Sequence, residues 1–183
     1  MRVVCVGDSI TFGQHLPPDV LPWPARMGAE GRGVCGETSR QALERFPRDV
    51  QDDPADVTVL QFGHNDANRW ASDGGLPRVS LEAFRANLAE MILRCRAFDT
   101  PPVLCSITPT RKTREFDRDV HYYSAEVSRV AHSLKVPLVD VRQAFVDGDL
   151  DELLMDDGIH LTEAGHDLYA ATVSAVVGAK VLA

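Results

Sequence analysis

Five short apolar stretches, separated by helical patterns and ended by glycine, proline or a polar turn, constrain this chain more than any other feature. They are Arg2–Val6, the glycine-rich residues 31–36, Val57–Phe62, Pro102–Ile107 and Val136–Val141. Runs this short and this continuously apolar read as strands buried on both faces, with 31–36 a short edge strand leading into a tight turn. Helical patterns lie between them: one to about Trp23–Glu30, one capped by Thr38 or Ser39 and running to about Phe46, and one from about Asp117 to Leu134. The longest opens at Ser80 and sets Leu81, Phe84, Leu88, Met91, Ile92 and Cys95 at helical spacing, and a closing helix starts near Thr162. Alternation of this kind predicts an α/β fold, because right-handed crossovers place helices on both faces of a parallel sheet. The expectation is a three-layer α/β/α sandwich with a five-stranded parallel sheet in the order 2-1-3-4-5, formed as one domain over residues 1–183.

Charge narrows the function classes. Asp plus Glu number 27 against 19 Lys plus Arg, a net charge of −8, and such a field repels phosphate backbones, so nucleic acid is not an expected partner. No stretch approaches the roughly 20 apolar residues of a membrane span, and no charged-then-apolar leader precedes the first strand pattern, so a cytoplasmic location is expected. Cys5, Cys35, Cys95 and Cys105 form neither a metal knuckle nor a disulfide framework; the expectation is free thiols, with Cys5, Cys95 and Cys105 buried as small hydrophobes. His15, His121 and His132 have no metal-ligand spacing with carboxylates or cysteines, and no metal is expected.

Chemistry concentrates where strands end. Acyl transfer through a serine requires a base, a group that orients the base, and donors aimed at the developing oxyanion. Ser9 follows the first strand, Gly36 offers an unobstructed backbone N–H after the second, and Asn65 offers a side-chain amide after the third. Asp157 and His160 stand three residues apart between the last strand and the closing helix, a spacing that lets one helical turn bring a carboxylate beside an imidazole. Asp156 is the neighbouring alternative, without that spacing. Taken alone, Ser9 is a turn serine; Cys35 as nucleophile has no independent base. Asp66 is expected to hydrogen-bond backbone nearby, and His166 to lie on the closing helix as a surface or packing residue.

These residues resemble the GDSL, or SGNH, hydrolases. The first block is Gly7-Asp8-Ser9-Ile10-Thr11, the second Gly33-Val34-Cys35-Gly36-Glu37-Thr38, the third Gly63-His64-Asn65-Asp66, and the fifth Asp157-Gly158-Ile159-His160-Leu161. In the second block Gly31 and Cys35 stand where the family often carries Asn and Ser, which bears on how the Gly36 loop is braced and leaves the backbone donor unaffected. The resemblance implies a flavodoxin-like three-layer fold, a Ser9–His160–Asp157 triad, oxyanion donors from Ser9, Gly36 and Asn65, and ester hydrolysis without a cofactor. The expected substrate is a small acyl ester, of the carboxylesterase or carbohydrate-deacetylase type. The alternatives are a lysophospholipase or thioesterase for longer chains, or a non-catalytic binding module on the same fold. No Gly-rich phosphate loop supports a nucleotide binder. A pocket is expected from Ala67–Trp70 and Thr108–Arg111, with His64 at its border and Arg69 or Arg111 facing an anionic or sugar substrate; Trp70 is either a packed loop residue or part of the substrate wall.

Overall fold

The computed structural model describes residues 1–181. Its strands are β1 Val3–Gly7, β2 Glu30–Gly33, β3 Val57–Gln61, β4 Pro102–Cys105 and β5 Leu138–Val139. They form one five-stranded sheet in the order β2-β1-β3-β4-β5, every pair parallel, as the alternation of patterns predicts. The helices are α1 Ser9–Phe12, α2 Trp23–Arg26, α3 Ser39–Phe46, α4 His64–Ala67, α5 Leu81–Ala97, α6 Arg114–Ser133, α7 Val141–Val146, α8 Leu150–Leu153 and α9 Glu163–Val181.

Side chains alternate across a strand, so one sheet sends its residues into two cores. Val4, Val6, Leu60 and Leu104 pack with Phe46 of α3, Phe84 and Leu88 of α5, and Val120 and Val127 of α6. Val3, Cys5, Val59, Val103, Cys105 and Val139 pack on the other side with Trp23, Phe145, Tyr169 and Val173. Both faces being dry explains why these strands carry no polar alternation. Cys5, Cys95 and Cys105 are buried free thiols, and Cys35 is exposed.

Several boundaries differ from the sequence expectation, each for a local reason. Ser9–Phe12 is a helical turn in place of the simple turn after the strand: Asp8 caps it by accepting the Ile10 N–H at 2.9 Å, and Gly13 closes it at φ +81°. The next helix stops at Arg26, because Gly28 turns the chain at φ +70° and Ala29 N–H returns to Pro24 O at 2.8 Å; Glu30 then pairs in β2 opposite Val4. Between α3 and β3, residues 47–51 form a wide helical turn that buries Val50 and Asp49. Helix α6, capped by Thr113 and 20 residues long, exceeds the 17 of α5, which the sequence ranked longest. The last strand keeps only Leu138–Val139. Asp140 accepts the Gln143 N–H at 3.1 Å and starts α7 at Val141, and Asp149 caps α8; neither helix was anticipated.

Candidate active site

Ser9 opens α1 at the C-terminal edge of the sheet, where β1 ends, and its neighbour in space comes from the opposite end of the chain. His160 Nε2 lies 3.0 Å from Ser9 Oγ, and His160 Nδ1 lies 2.5 Å from Asp157 Oδ2. A carboxylate only accepts, so Nδ1 carries the hydrogen and Nε2 is left to accept the serine hydroxyl. Ser9 is buried and the His160 side chain is 14% exposed, whereas Asp157 is 39% exposed. Partial burial works against ionisation of Asp157, but its bonds to His160 Nδ1 and to the Ile159 and His160 N–H groups hold its carboxyl down at about 2.

The spacing of these two residues works through a turn and not through the helical turn expected. Asp157 Oδ1 accepts from Ile159 N–H and His160 N–H, both at 2.9 Å, and Gly158 sits at φ +71°. A Cβ on Gly158 would lie 2.7 Å from Arg111 C and Lys112 N, so only glycine lets the two loops meet there. Arg111 N–H donates to Gly158 O at 2.8 Å, while its guanidinium reaches Asp151 Oδ1 at 2.6 Å and Leu154 O at 3.0 Å. Met155 N–H to His160 O at 2.8 Å and the Leu154–Leu161 bridge close the loop at its base. Arg111 is therefore a brace beneath the Asp157–His160 loop, committed to protein partners instead of facing a substrate.

Behind Ser9 lies Asp8, fully buried. Its Oδ1 caps Ile10 N–H, its Oδ2 accepts from Asn65 Nδ2 at 3.4 Å, and its own N–H faces Gln61 Oε1 at 3.4 Å. Burial pushes the Asp8 carboxyl up to about 7, and the Ile10 N–H opposes that rise. Asn65 is thus joined to the serine segment through one carboxylate. Next to it, Asp66 accepts from Ser39 N–H and Ser39 Oγ, tying α4 to the start of α3, and burial raises it to about 6.

Gly36 occupies the turn after β2, at φ +74°. Val34 N–H donates to Gly7 O at 3.0 Å and Glu37 N–H to Val34 O at 3.2 Å, a β-turn whose third residue must tolerate positive φ. Gly33 abuts the serine segment so closely that a Cβ would lie 2.7 Å from Asp8 O. From inside, Arg45 of α3 holds the turn: it donates to Glu37 Oε1 at 2.7 Å and to Arg32 O at 2.9 Å, and pairs with Asp49. Nothing about Arg45 in the sequence marked it for this place.

His64 does not border an open pocket: it is buried, with Nε2 3.1 Å from Thr108 O, and burial lowers its imidazole to about 4. Arg69 donates to Asp119 Oδ2 and to Gly75 O, both at 2.8 Å, and a bridge to Pro77 makes residues 69–77 a closed excursion. Trp70 is 48% exposed, with the Arg78 guanidinium 4.3 Å over its ring. A cavity of about 230 Å³ lies between this excursion and the segment after Thr110, lined by Asn68, Arg69, Lys112, Thr113, Phe116 and Asp119 among others. His15, placed in no site by its sequence spacing, stands edge-on to His160 with ring centroids 4.8 Å apart. Its ligand atoms, with those of Asp157 and His160, fall within 4.8 Å of one another, though both His160 nitrogens are already committed. His166 is a packing residue; its Nδ1 accepts the Trp23 N–H at 3.1 Å, and burial lowers it to about 4.

A serine, an imidazole and a carboxylate in hydrogen-bonded series on this sheet edge are the arrangement that nucleophilic hydrolases use. Residues 5–168 match the GDSL-like Lipase/Acylhydrolase family, to which the chain belongs, and it is accordingly an esterase of the SGNH type. The uncharacterized lipoprotein YqeF of Bacillus subtilis (strain 168) is 28% identical over 89% of this chain and 84% of its own length. Among solved structures, Axe2, an acetylxylan esterase from Geobacillus stearothermophilus, superposes with a TM-score of 0.83 at 20% identity, covering 97% of this chain and 94% of that chain. A lipase/acylhydrolase from Enterococcus faecalis superposes at 0.81 with 24% identity, covering 98% and 97%. At those identities the likeness speaks to the fold. No described helix is long and apolar enough to cross a membrane.

Proposed function

We propose that the chain cleaves small acyl esters through an acyl-enzyme on Ser9, with His160 as general base and acid and Asp157 as its orienting group. The observation that carries this is the unbroken series from Asp157 Oδ2 through both His160 nitrogens to Ser9 Oγ. His160 Nε2 takes the hydroxyl proton as Oγ bonds to the ester carbonyl carbon, and the charge on the carbonyl oxygen is met by the N–H groups of Ser9 and Gly36 and by Asn65 Nδ2. Collapse breaks the carbon–alkoxide bond, and His160 returns its proton to the departing alcohol. Water then attacks the acyl-serine, His160 again accepts a proton, and the acid leaves as Ser9 recovers its hydrogen. Asp157, held ionised, stabilises the imidazolium formed twice in this cycle. The preference for short acyl groups draws on the likeness of fold to Axe2, an acetylxylan esterase.

Hydrolysis of p-nitrophenyl acetate, butyrate and decanoate by wild type and by Ser9→Ala tests the proposal. Expected is turnover of the acetate that Ser9→Ala abolishes, at an unchanged melting temperature. Retained turnover in Ser9→Ala refutes the nucleophile, and activity confined to the decanoate refutes the short-acyl preference.

A further inference from the structure

The turn that carries Gly36 has little packing to hold it. Val34, Cys35 and Gly36 are exposed, and among the described residues no atom beyond Gly36 and its chain neighbours lies within 4 Å of the position a Gly36 Cβ would take. Glycine with positive φ is also the residue for which rotation of the preceding peptide meets least resistance, and that peptide contains the N–H assigned to the oxyanion. A donor worth about 10²–10³ in rate contributes only while it points at the reacting oxygen. Something must therefore fix this glycine from its open side.

Arg78 does so. Its Nη1 donates to Gly36 O at 2.8 Å and its Nη2 to Gln41 Oε1 at 3.3 Å. Gln41 Oε1 in turn accepts from Thr38 N–H at 3.0 Å, so a single guanidinium spans the turn and the first turn of α3 that follows it. The backbone of Arg78 is itself anchored: its N–H donates to Asn68 O at 3.0 Å, and the next N–H, of Val79, to Asp66 O at 3.2 Å. Those acceptors lie three and one residues beyond Asn65, respectively. Trp70 stacks on the guanidinium at 4.3 Å, covering one of its faces and restricting its rotation.

Resting on the proposed esterase mechanism, we infer that Arg78 is a positioning residue that holds the Gly36 oxyanion turn in register with Asn65, and that Trp70 clamps Arg78 in that role. The guanidinium acts on the carbonyl side of Gly36, leaving the N–H free. The 69–77 excursion is thereby coupled to the reaction: whatever displaces Trp70 loosens the oxyanion turn, with no contact between Trp70 and the ester required. Lysine cannot substitute fully, since its single ammonium lacks the fork of donors by which Arg78 reaches Gly36 O and Gln41 Oε1 through separate nitrogens.

Three variants, Arg78→Ala, Arg78→Lys and Trp70→Ala, are compared with wild type and Ser9→Ala in p-nitrophenyl acetate kinetics, thermal melts and hydrogen exchange. For Arg78→Ala the expected result is a kcat lower by about 10- to 100-fold, part of the loss of one oxyanion donor. KM stays within about threefold, since the donor acts chiefly in the transition state. Exchange across residues 34–38 quickens, the melting temperature stays near wild type, and added guanidinium at millimolar concentration restores part of kcat. Trp70→Ala loses less, and Arg78→Lys falls between alanine and wild type. The inference is overturned if Arg78→Ala leaves kcat and exchange of the turn unchanged while Ser9→Ala is inactive. It is equally overturned if KM alone rises, which would make Arg78 a substrate-binding side chain. Failure of the underlying mechanism looks different: Ser9→Ala would keep its turnover, whatever the exchange of the turn.

Discussion

Replacing Arg45 by methionine isolates the internal support of the Gly36 turn. The side chains of Arg45, Glu37 and Asp49 are 12%, 6% and 8% exposed, and Arg45 binds both carboxylates and two backbone carbonyls, those of Arg32 and Gly7. Methionine fills most of the arginine's volume but leaves buried Glu37 without its cation and Asp49 with only the exposed Arg48, at 2.9 Å. Uncompensated buried charge of this kind costs about 3–5 kcal/mol, well above the ~0–1 kcal/mol of an exposed pair. With an unfolding entropy of about 2.1 cal/mol/K per residue, a chain of 183 residues loses roughly 2–3 °C per kcal/mol. The melting temperature should therefore fall by about 8–13 °C. Urea unfolding is the assay of choice, because guanidinium would screen the charges being tested. Adding Glu37→Gln and Asp49→Asn should recover more than half of the loss, since a neutral set no longer contains orphaned ions. A loss under ~1 kcal/mol for Arg45→Met, or no recovery in the triple variant, would falsify the claim that burial of the carboxylates sets the penalty.

Two further perturbations follow from the same reasoning. His166 has a folded value lowered to about 4 from 6.5, so its contribution is complete above pH 6.5 and is lost as pH falls toward 4, a change of about 3 kcal/mol. The stability difference between wild type and His166→Gln, measured by urea unfolding, should therefore shift by that amount against wild type between pH 7 and pH 4; a pH-independent difference contradicts the neutral Nδ1 acceptor. Gly158→Ala combines a positive φ with a Cβ 2.7 Å from the backbone of Arg111 and Lys112, and should cost at least ~2 kcal/mol and lower kcat by displacing His160; a variant with wild-type activity and stability refutes the close approach.

The sheet was legible because both of its faces are dry: Val3 to Gly7 and Val57 to Gln61 are buried at every position, and such runs have few alternatives. The serine, the imidazole and the carboxylate were legible for another reason, since each falls at a strand end or in the last loop within a short recognisable block. Short helices were not. Asp8, Asp140 and Asp149 each cap one, yet an aspartate before four to six residues is as common in turns, and propensity cannot decide over so short a span. The turn joining Asp157 to His160 was read as helical because a three-residue spacing suits both geometries. The two arginines that hold the Gly36 turn carry no signal at all. Arg45 lies on an ordinary amphipathic helix and Arg78 in a polar loop, and only the folded chain reveals where a long flexible side chain ends. The same holds for Arg111, whose loop position after the fourth strand suggested a substrate partner while its bonds run to Asp151 and Leu154.

Reaction with an alkyl p-nitrophenyl phosphonate, followed by intact-mass measurement and peptide mapping, tests the central claim most directly. One adduct per chain on Ser9 is expected, formed with loss of esterase activity, absent in Ser9→Ala and strongly slowed in His160→Ala. Continued turnover of p-nitrophenyl acetate with Ser9 unlabelled, or with the label on another residue, would contradict the account.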